Sequence, residues 1–255
     1  MRDVGLALRQ IGYEHRAFWR NPAAAFFTFA FPLLFMVIFN VIFGGSGTGR
    51  PGERPADFFT PSIIVFAVIT ATFTNIAMTV TAARERGILK RVRGAPLPPW
   101  AYLAGRIGQA VSVALLLVVI VAAFGAVFYG VEVPWGRMPA LLVTLAVAAA
   151  SFCALGLALT AVIPNEDAAP AVVNAVILPL LCISNVFIRI DGMTGWLPWL
   201  SYLFPVRHFA DAMMTIYDPR TSGSGFAPDH LAWIAGWGLV GLVVASLRFR
   251  WEPRR

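Results

Sequence analysis

The residues best suited to intermolecular chemistry form one charged block, residues 84–93, with the sequence RERGILKRVR. The block holds five of the chain's twenty basic residues, including its only lysine, and it lies between two long apolar runs. Its charges, together with Ile88, Leu89 and Val92, suit ion pairing and apolar contact with another protein. Pro96 and Pro98 limit its length. The pattern predicts a short amphipathic docking element that faces water.

Nucleotide chemistry is not expected in this chain. A Walker A loop needs a lysine directly after a glycine to reach the phosphates, but Lys90 follows Leu89. Residues 47–52, GTGRPG, match the dinucleotide-binding pattern G-x-G-x-x-G formally, yet Pro51 interrupts the helix that such a site requires. We therefore expect neither ATPase motifs nor a bound cofactor in the chain itself.

Metal and catalytic sites are also not expected. Cys153 and Cys182 lie inside apolar runs, and the three histidines are scattered. His208 and Asp211 share one helical face, an arrangement more typical of a polar helix surface than of a catalytic pair. No ionisable residue lies in the middle of a predicted span, which argues against a proton-coupled carrier but leaves a sodium-coupled carrier open.

The elements that must position the charged block are membrane spans. The 255 residues are 58% hydrophobic and only 13% charged, with a mean hydropathy of +0.73, whereas soluble domains carry roughly 25% charged residues. Six charge-free runs of 17 to 29 residues each accommodate one transmembrane helix. The sequence thus predicts an all-α integral membrane protein, a single domain over residues 1–255, with spans near 23–43, 61–83, 104–129, 140–163, 168–188 and 231–247.

The distribution of lysine and arginine predicts the orientation of these spans. Residues 1–20, 84–106 and the segment after Ser246 carry fourteen basic residues, whereas the intervening loops on the opposite side carry six. The positive-inside rule places the fourteen, and with them both termini, in the cytoplasm. The net charge of +7 is therefore interpreted as a topology signal rather than as a nucleic-acid-binding surface.

Two further segments are amphipathic without being long enough to span. Residues 1–20 place apolar side chains at helical spacing and predict an interfacial helix on the inner membrane surface. The outer segment 192–217 is aromatic but interrupted at Pro198 and Pro205. It predicts a re-entrant or interfacial helical pair, with a folded surface loop as the alternative.

The charged block resembles the R-E-R-G-T-L-x-R-L segment that follows the second span in permease subunits of ABC-2-type transporters. Leu203-Phe204-Pro205 is similar to that family's L-x-P motif before the last span. The six-span layout with an amphipathic N-terminal helix also fits, so the resemblance covers nearly the whole chain. Ile88 stands where the family often has threonine.

The resemblance implies a permease of the drug- and antibiotic-resistance exporter type, in the cytoplasmic membrane of a prokaryote. Such permeases pair with a second permease, either identical or different, and with separate ATPase subunits that bind ATP and magnesium. The block would be the coupling helix between spans two and three, and an alternative is a basic loop held by anionic lipid. The implied coupling residues are Arg84, Glu85, Arg86, Gly87, Ile88, Leu89, Lys90 and Arg91.

The resemblance also implies that spans two and five line the translocation path at the dimer axis. The polar residues of these spans are the candidates, although hydrogen bonds between helices explain such residues equally well. The cargo would be hydrophobic or amphiphilic and exported. The functional alternative is a stand-alone secondary carrier or channel that does not use ATP. The candidate path residues are Thr72, Asn75, Thr79, Asn174 and Asn185.

Overall fold

The computed structural model describes residues 2–44, 53–94, 98–190 and 195–249. This part of the chain is helical and contains no β-strand, which confirms the predicted all-α class for the residues described. The proline at position 96, the glycine-rich loop 47–52 and residues 192–194 of the outer segment lie outside this description.

The helices follow one another through short connections. They are α1 (Arg2–Trp19), α2 (Pro22–Phe43), α3 (Pro55–Ile69), α4 (Asn75–Glu85), α5 (Ile88–Arg93), α6 (Pro99–Tyr129), α7 (Met138–Leu159), α8 (Ala169–Cys182), α9 (Trp196–Ser201), α10 (Pro205–Tyr217) and α11 (Pro228–Arg248). A five-residue π-helical segment, Thr70–Thr74, joins α3 to α4.

Five helices in the described residues are long and apolar enough to cross a membrane. They coincide with five of the six predicted spans, and they are Pro22–Phe43, Pro55–Glu85, Trp100–Tyr129, Trp135–Leu159 and Pro228–Arg248.

The remaining predicted span, 168–188, contains only the 14 residues of α8, which is fewer than the roughly 17–25 that a spanning helix needs. The helix ends before Asn185, which adopts a left-handed conformation with φ of 56° that no α-helix accommodates. The Asn185 side chain then accepts a hydrogen bond of 2.8 Å from the Ile190 backbone N–H and closes the turn. The count of six spans therefore stays a prediction.

The second span is interrupted at its centre by the π-helical segment. Thr72 is buried there, and its hydroxyl donates to the Val68 carbonyl over 2.6 Å. Gly156 of α7 faces this segment closely, since a Cβ atom at position 156 would lie 2.7 Å from the Phe73 carbonyl oxygen. The absence of a side chain at Gly156 thus lets α7 pack directly against the π-helical backbone.

Helices α7 and α11 also approach through glycines. A Cβ atom at Gly241 would lie 2.9 Å from the Leu155 backbone nitrogen, and one at Gly238 would lie 2.4 Å from the Ser151 hydroxyl. Small residues allow this backbone contact, in which dispersion forces hold membrane helices together.

Helix α1 lies against the first turns of α6. Gln10 and Ile11 cover Gly105 and Gly108, and Glu14 forms an ion pair of 3.3 Å with Arg106. The opposite face of α1 exposes large side chains, namely Leu8, Tyr13 and Trp19. Leu8 and Ile11, which the sequence places on one apolar stripe, thus lie on different sides of α1. The position of α1 at a membrane surface stays a prediction.

The described part of the outer segment folds back beside α11. The indole N–H groups of Trp233 and Trp237 both donate to the Leu203 carbonyl, over 3.3 Å and 2.9 Å. The start of α10 therefore lies beside the second and third turns of a candidate span. Whether this segment enters the membrane stays a prediction.

Gly241→Ala is expected to destabilise the protein by about 1–3 kcal/mol, because overpacking forces the α7 and α11 backbones apart. The matched control is Gly236→Ala on the same helix, where a Cβ atom meets nothing within 4 Å. Thermal unfolding of the purified proteins in the same detergent measures the difference. Equal melting temperatures for the two variants would contradict the close α7–α11 contact.

Candidate functional site

Arg84, the first residue of the charged block, is directed into the protein. Its side chain is only 2% exposed, and the guanidinium donates to the carbonyls of Thr160 and Ile163 over 2.8 Å each and of Pro164 over 3.4 Å. These carbonyls follow the end of α7, where helical carbonyls lack partners. Arg84 therefore caps α7 and joins it to the end of the second span.

The block then turns sharply before its second half. Gly87 adopts a left-handed backbone with φ of 69°, which glycine accepts without steric cost. The turn starts α5 and directs Leu89 inward, where it is fully buried beside Tyr102 and Leu157. Leu89 thus anchors α5 to the protein and does not contribute to an outer docking surface.

The side chains of the block that face outward are mainly basic. Arg86, Ile88, Lys90 and Arg91 are exposed, whereas Glu85 is partly buried and lies 3.4 Å from Arg84. We call these four exposed residues the basic face. Arg86 also forms an ion pair of 3.0 Å with Glu166 in the connection between α7 and α8. Of the eight predicted coupling residues, Arg84 and Leu89 are internal anchors and four form the basic face.

The predicted path residues of the second span lie at and after the π-helical segment. Thr72 bonds within its own helix, as described above. Asn75 is partly buried and donates to the Gln109 side chain on α6 over 3.3 Å. The Thr79 hydroxyl donates to the Asn75 carbonyl over 2.7 Å. Asn75 therefore links two spans, as expected if the polar residues of the spans form hydrogen bonds between helices. Part of its side chain nevertheless stays accessible.

The two asparagines predicted for span five differ in their surroundings. Asn174 is exposed on α8. Asn185 is buried in the turn after α8, and its amide donates to Asp211 of α10 over 3.4 Å. Asn185 therefore lies in the wall of a cavity that the outer segment helps to form. Asn174 lies earlier in the chain, on α8.

That cavity has a volume of about 530 Å³. We call it the polar cavity. Arg189 forms an ion pair with Glu53 over 2.8 Å, and Arg207 forms one with Asp211 over 2.7 Å. The charged residues that line it are Glu53, Asp57, Asp211, Asp218, Arg189, Arg207 and Arg220.

Sequence analysis missed this charged cavity. It treated Asp211 as a possible partner of His208, whereas the carboxylate pairs with Arg207, four residues earlier on the same helix face. The sequence feature that could have indicated this ion pair is two oppositely charged residues, four positions apart, in an apolar segment. The Glu53–Arg189 pair joins positions 136 residues apart, so no local pattern could have revealed it.

His208 instead contacts α11. Its Nδ1 atom lies 2.8 Å from Nδ1 of His230, and its Nε2 atom lies 2.9 Å from the Tyr202 carbonyl. Burial lowers the pKa of His208, because it disfavours the charged imidazolium. The neutral ring thus serves as a hydrogen-bonded link between α10 and α11. No group of three or more potential metal ligands occurs in the described residues.

A second cavity, of about 280 Å³, is lined by apolar side chains. We call it the apolar cavity. It lies between α7, α8, α11 and the π-helical segment, and the residues that line it are Phe73, Phe152, Leu155, Ala158, Leu159, Val162, Val176, Ile177, Leu180, Phe204, Pro205, Val206 and Trp237.

Comparison with known proteins assigns this arrangement to a transporter class. A family model described as "ABC-2 type transporter" matches residues 11–217. The chain is similar to the probable multidrug ABC transporter permease YbhR of Escherichia coli K12, at 26% identity over 63% of the chain and 43% of that protein. It thus matches less than half of the length of YbhR.

Two further relatives match a larger part of their own length. The inner membrane transport permease YadH of Escherichia coli K12 is 26% identical over 69% of both chains. The daunorubicin resistance ABC transporter permease protein DrrB1 of Streptomyces coeruleorubidus is 28% identical over 82% of this chain and 74% of its own.

Arg84→Leu is expected to destabilise the protein by about 2–4 kcal/mol, because it leaves carbonyls after α7 without donors in a buried place. Arg84→Lys should recover part of this loss through its ammonium donors. Arg86→Leu is the control, since its exposed ion pair contributes about 0–1 kcal/mol. The measurement is the melting temperature of each purified variant, and an unchanged value for Arg84→Leu would refute the capping role.

Proposed function

The chain belongs to the ABC-2 type transporter family, and we propose that it is the membrane-embedded permease subunit of an ATP-driven exporter. The observation that supports the proposal is the basic face, which is formed by α5 together with Arg86 and is anchored to the end of the second span. An element of this kind transfers motion from a bound partner into the membrane domain.

The partner that fits this surface is a separate ABC ATPase subunit. Arg86, Lys90 and Arg91 present three positive charges around the apolar Ile88, which matches a groove with an acidic rim and an apolar floor. ATP and magnesium would be bound by the ATPase, which also supplies the free energy. Residues 84–91 thus act in coupling in two ways: the basic face binds, and Arg84 and Leu89 hold the helix to the permease.

Movement of α5 would reach other helices through Arg84 and Arg86. Both arginines contact the region between α7 and α8, through the Thr160 carbonyl and the Glu166 carboxylate respectively. A displacement of α5 that carries the Gly87 turn with it would therefore act on the second span, on α7 and on the connection to α8 together. These are the elements that also surround the apolar cavity.

The proposed cargo is a hydrophobic or amphiphilic compound, such as a drug, an antibiotic or a lipid, and the proposed direction is outward. The names of YbhR and DrrB1, which refer to multidrug transport and daunorubicin resistance, support this class. We propose six spans, with α8 and the turn at Asn185 completing the fifth, in the cytoplasmic membrane of a prokaryote. Both ends of the chain would face the cytoplasm, and a second permease copy or paralogue would complete the dimer.

A stand-alone secondary carrier is the second candidate, and the polar cavity is the observation that favours it. Ionisable pairs such as Arg207–Asp211, enclosed beside a candidate span, occur in the relays of ion-coupled carriers. The two candidates differ in energy source. Transport by the chain without an ATPase, abolished by collapse of an ion gradient, would identify the carrier.

Lys90→Glu combined with Arg91→Glu is expected to weaken association with the partner ABC ATPase, because the charge at the docking surface changes sign. The control is Arg9→Glu combined with Arg16→Glu on the exposed face of α1. Co-purification and stimulated ATP hydrolysis measure the effect, with a loss of about tenfold expected if the two contacts together contribute about 1.4 kcal/mol. Undiminished association would place the docking surface elsewhere.

Asn75→Leu tests the translocation path separately. If the accessible part of Asn75 contacts cargo, export should fall about fivefold, the equivalent of one hydrogen bond of about 1 kcal/mol, while assembly is retained. Gln109→Leu is the control, because it removes the same bond between the spans but leaves Asn75 in place. Equal transport by the two variants, measured in vesicles with matched amounts of protein, would mean that Asn75 only joins the helices.

A further inference from the structure

We propose that the polar and apolar cavities are the two halves of one binding site for a single-chain amphiphile with a zwitterionic head group. The head group would occupy the polar cavity and the hydrocarbon chain the apolar cavity. If the chain is a permease as proposed above, this amphiphile defines its class of cargo. The site would lie within one copy of the chain, apart from a path at a dimer axis.

The two cavities are separated by a single stretch of chain. Tyr202 and Arg207 line the polar cavity, whereas Phe204, Pro205 and Val206, which lie between them in the sequence, line the apolar cavity. The connection between α9 and α10 is thus the shared wall. An amphiphile bound along this segment would place its head group beside Tyr202 and Arg207 and its hydrocarbon chain beside Phe204, Pro205 and Val206.

The wall is held in place from α11. The Leu203 carbonyl accepts both indole N–H groups described above, and the Phe204 ring stacks on Trp237 with centroids 6.1 Å apart. A site on a fixed segment loses less conformational entropy when a ligand binds than a site on a flexible loop does. Trp237 also lines the apolar cavity, so the anchor of the wall contacts the proposed hydrocarbon chain.

The charges of the polar cavity indicate the head group. Four carboxylates and three guanidinium groups line it, and a fourth guanidinium, that of Arg54, lies 2.8 Å from Asp57. The lining therefore carries both signs in nearly equal number, although the whole chain carries +7. A head group with net charge would leave one charge uncompensated in a partly desolvated place. A zwitterion instead offers a positive group to the carboxylates and a negative group to the guanidinium groups.

A hydroxyl group also lines the polar cavity. The Tyr217 hydroxyl is buried in the wall of the cavity and has no hydrogen-bond partner in the described residues. Burial raises the pKa of Tyr217 to about 12, and the group is therefore a neutral donor at physiological pH.

The proposal is tested by direct binding to the purified full chain in nanodiscs, without an ATPase. The probes are dodecylphosphocholine, dodecyltrimethylammonium and dodecyl sulfate, which share one hydrocarbon chain and differ in head-group charge. Calorimetric titration, corrected with empty nanodiscs, should show saturable binding of the zwitterion about tenfold tighter than of either ion. Equal affinities, or tighter binding of an ion, would overturn the head-group assignment, and binding no greater than to empty nanodiscs would overturn the site.

The apolar and polar halves of the site are tested by separate variants. Val176→Trp fills the apolar cavity from a partly exposed position and should weaken all three probes about equally. Val243→Trp, at an exposed position on α11 outside the cavity, is its control and should leave binding unchanged. Equal behaviour of the two tryptophan variants would overturn the assignment of the apolar half.

Asp218→Asn removes one negative charge near the mouth of the polar cavity and should raise the affinity for dodecyl sulfate about tenfold. Misfolding cannot produce such a gain, and an unchanged order of affinities would overturn the polar half. Because no ATPase is present, these results are independent of the proposed coupling. Binding without ATP-driven export would refute the proposed function and leave the site intact.

Discussion

The hydrogen bonds from Arg84 to the carbonyls after α7 are the interaction on which the position of α5 depends. A guanidinium that is almost completely enclosed is tolerated only when its donors are satisfied, because an unpaired buried charge costs several kcal/mol, on the order of 3–5. The bonds fix where the second span ends, and the Gly87 turn then fixes where α5 begins. The position of the basic face follows from these two constraints.

The charged block therefore combines two kinds of residue that its composition does not distinguish. Arginines at positions 84 and 86 are two residues apart, but one is enclosed and holds helices together whereas the other is solvated and available to a partner. The burial pattern of the block sets what each residue can contact. Coupling needs both kinds, since a docking surface without a rigid attachment would move alone.

Much of the architecture was predictable because hydrophobic runs and basic flanks are strong local signals. The five long apolar helices coincide with predicted spans for this reason. Helix 168–188 was predicted too long, because apolar composition does not report the left-handed conformation of Asn185. The inward direction of Leu89 and the polar cavity escaped prediction as well, because they depend on contacts between segments far apart in sequence, such as Glu53 and Arg189.

The π-helical segment has a consequence for the direction of every side chain that follows it. A regular α-helix advances by about 100° per residue, and a π-helical turn holds an extra residue. Removal of one residue from 70–74 would change the hydropathy of the span very little. It would nevertheless rotate Asn75 and Arg84 by roughly a quarter of a turn about the helix axis, away from Gln109 and from the end of α7. The number of residues in this span therefore determines how the side chains after the π-helical segment are rotated about the helix axis relative to those before it.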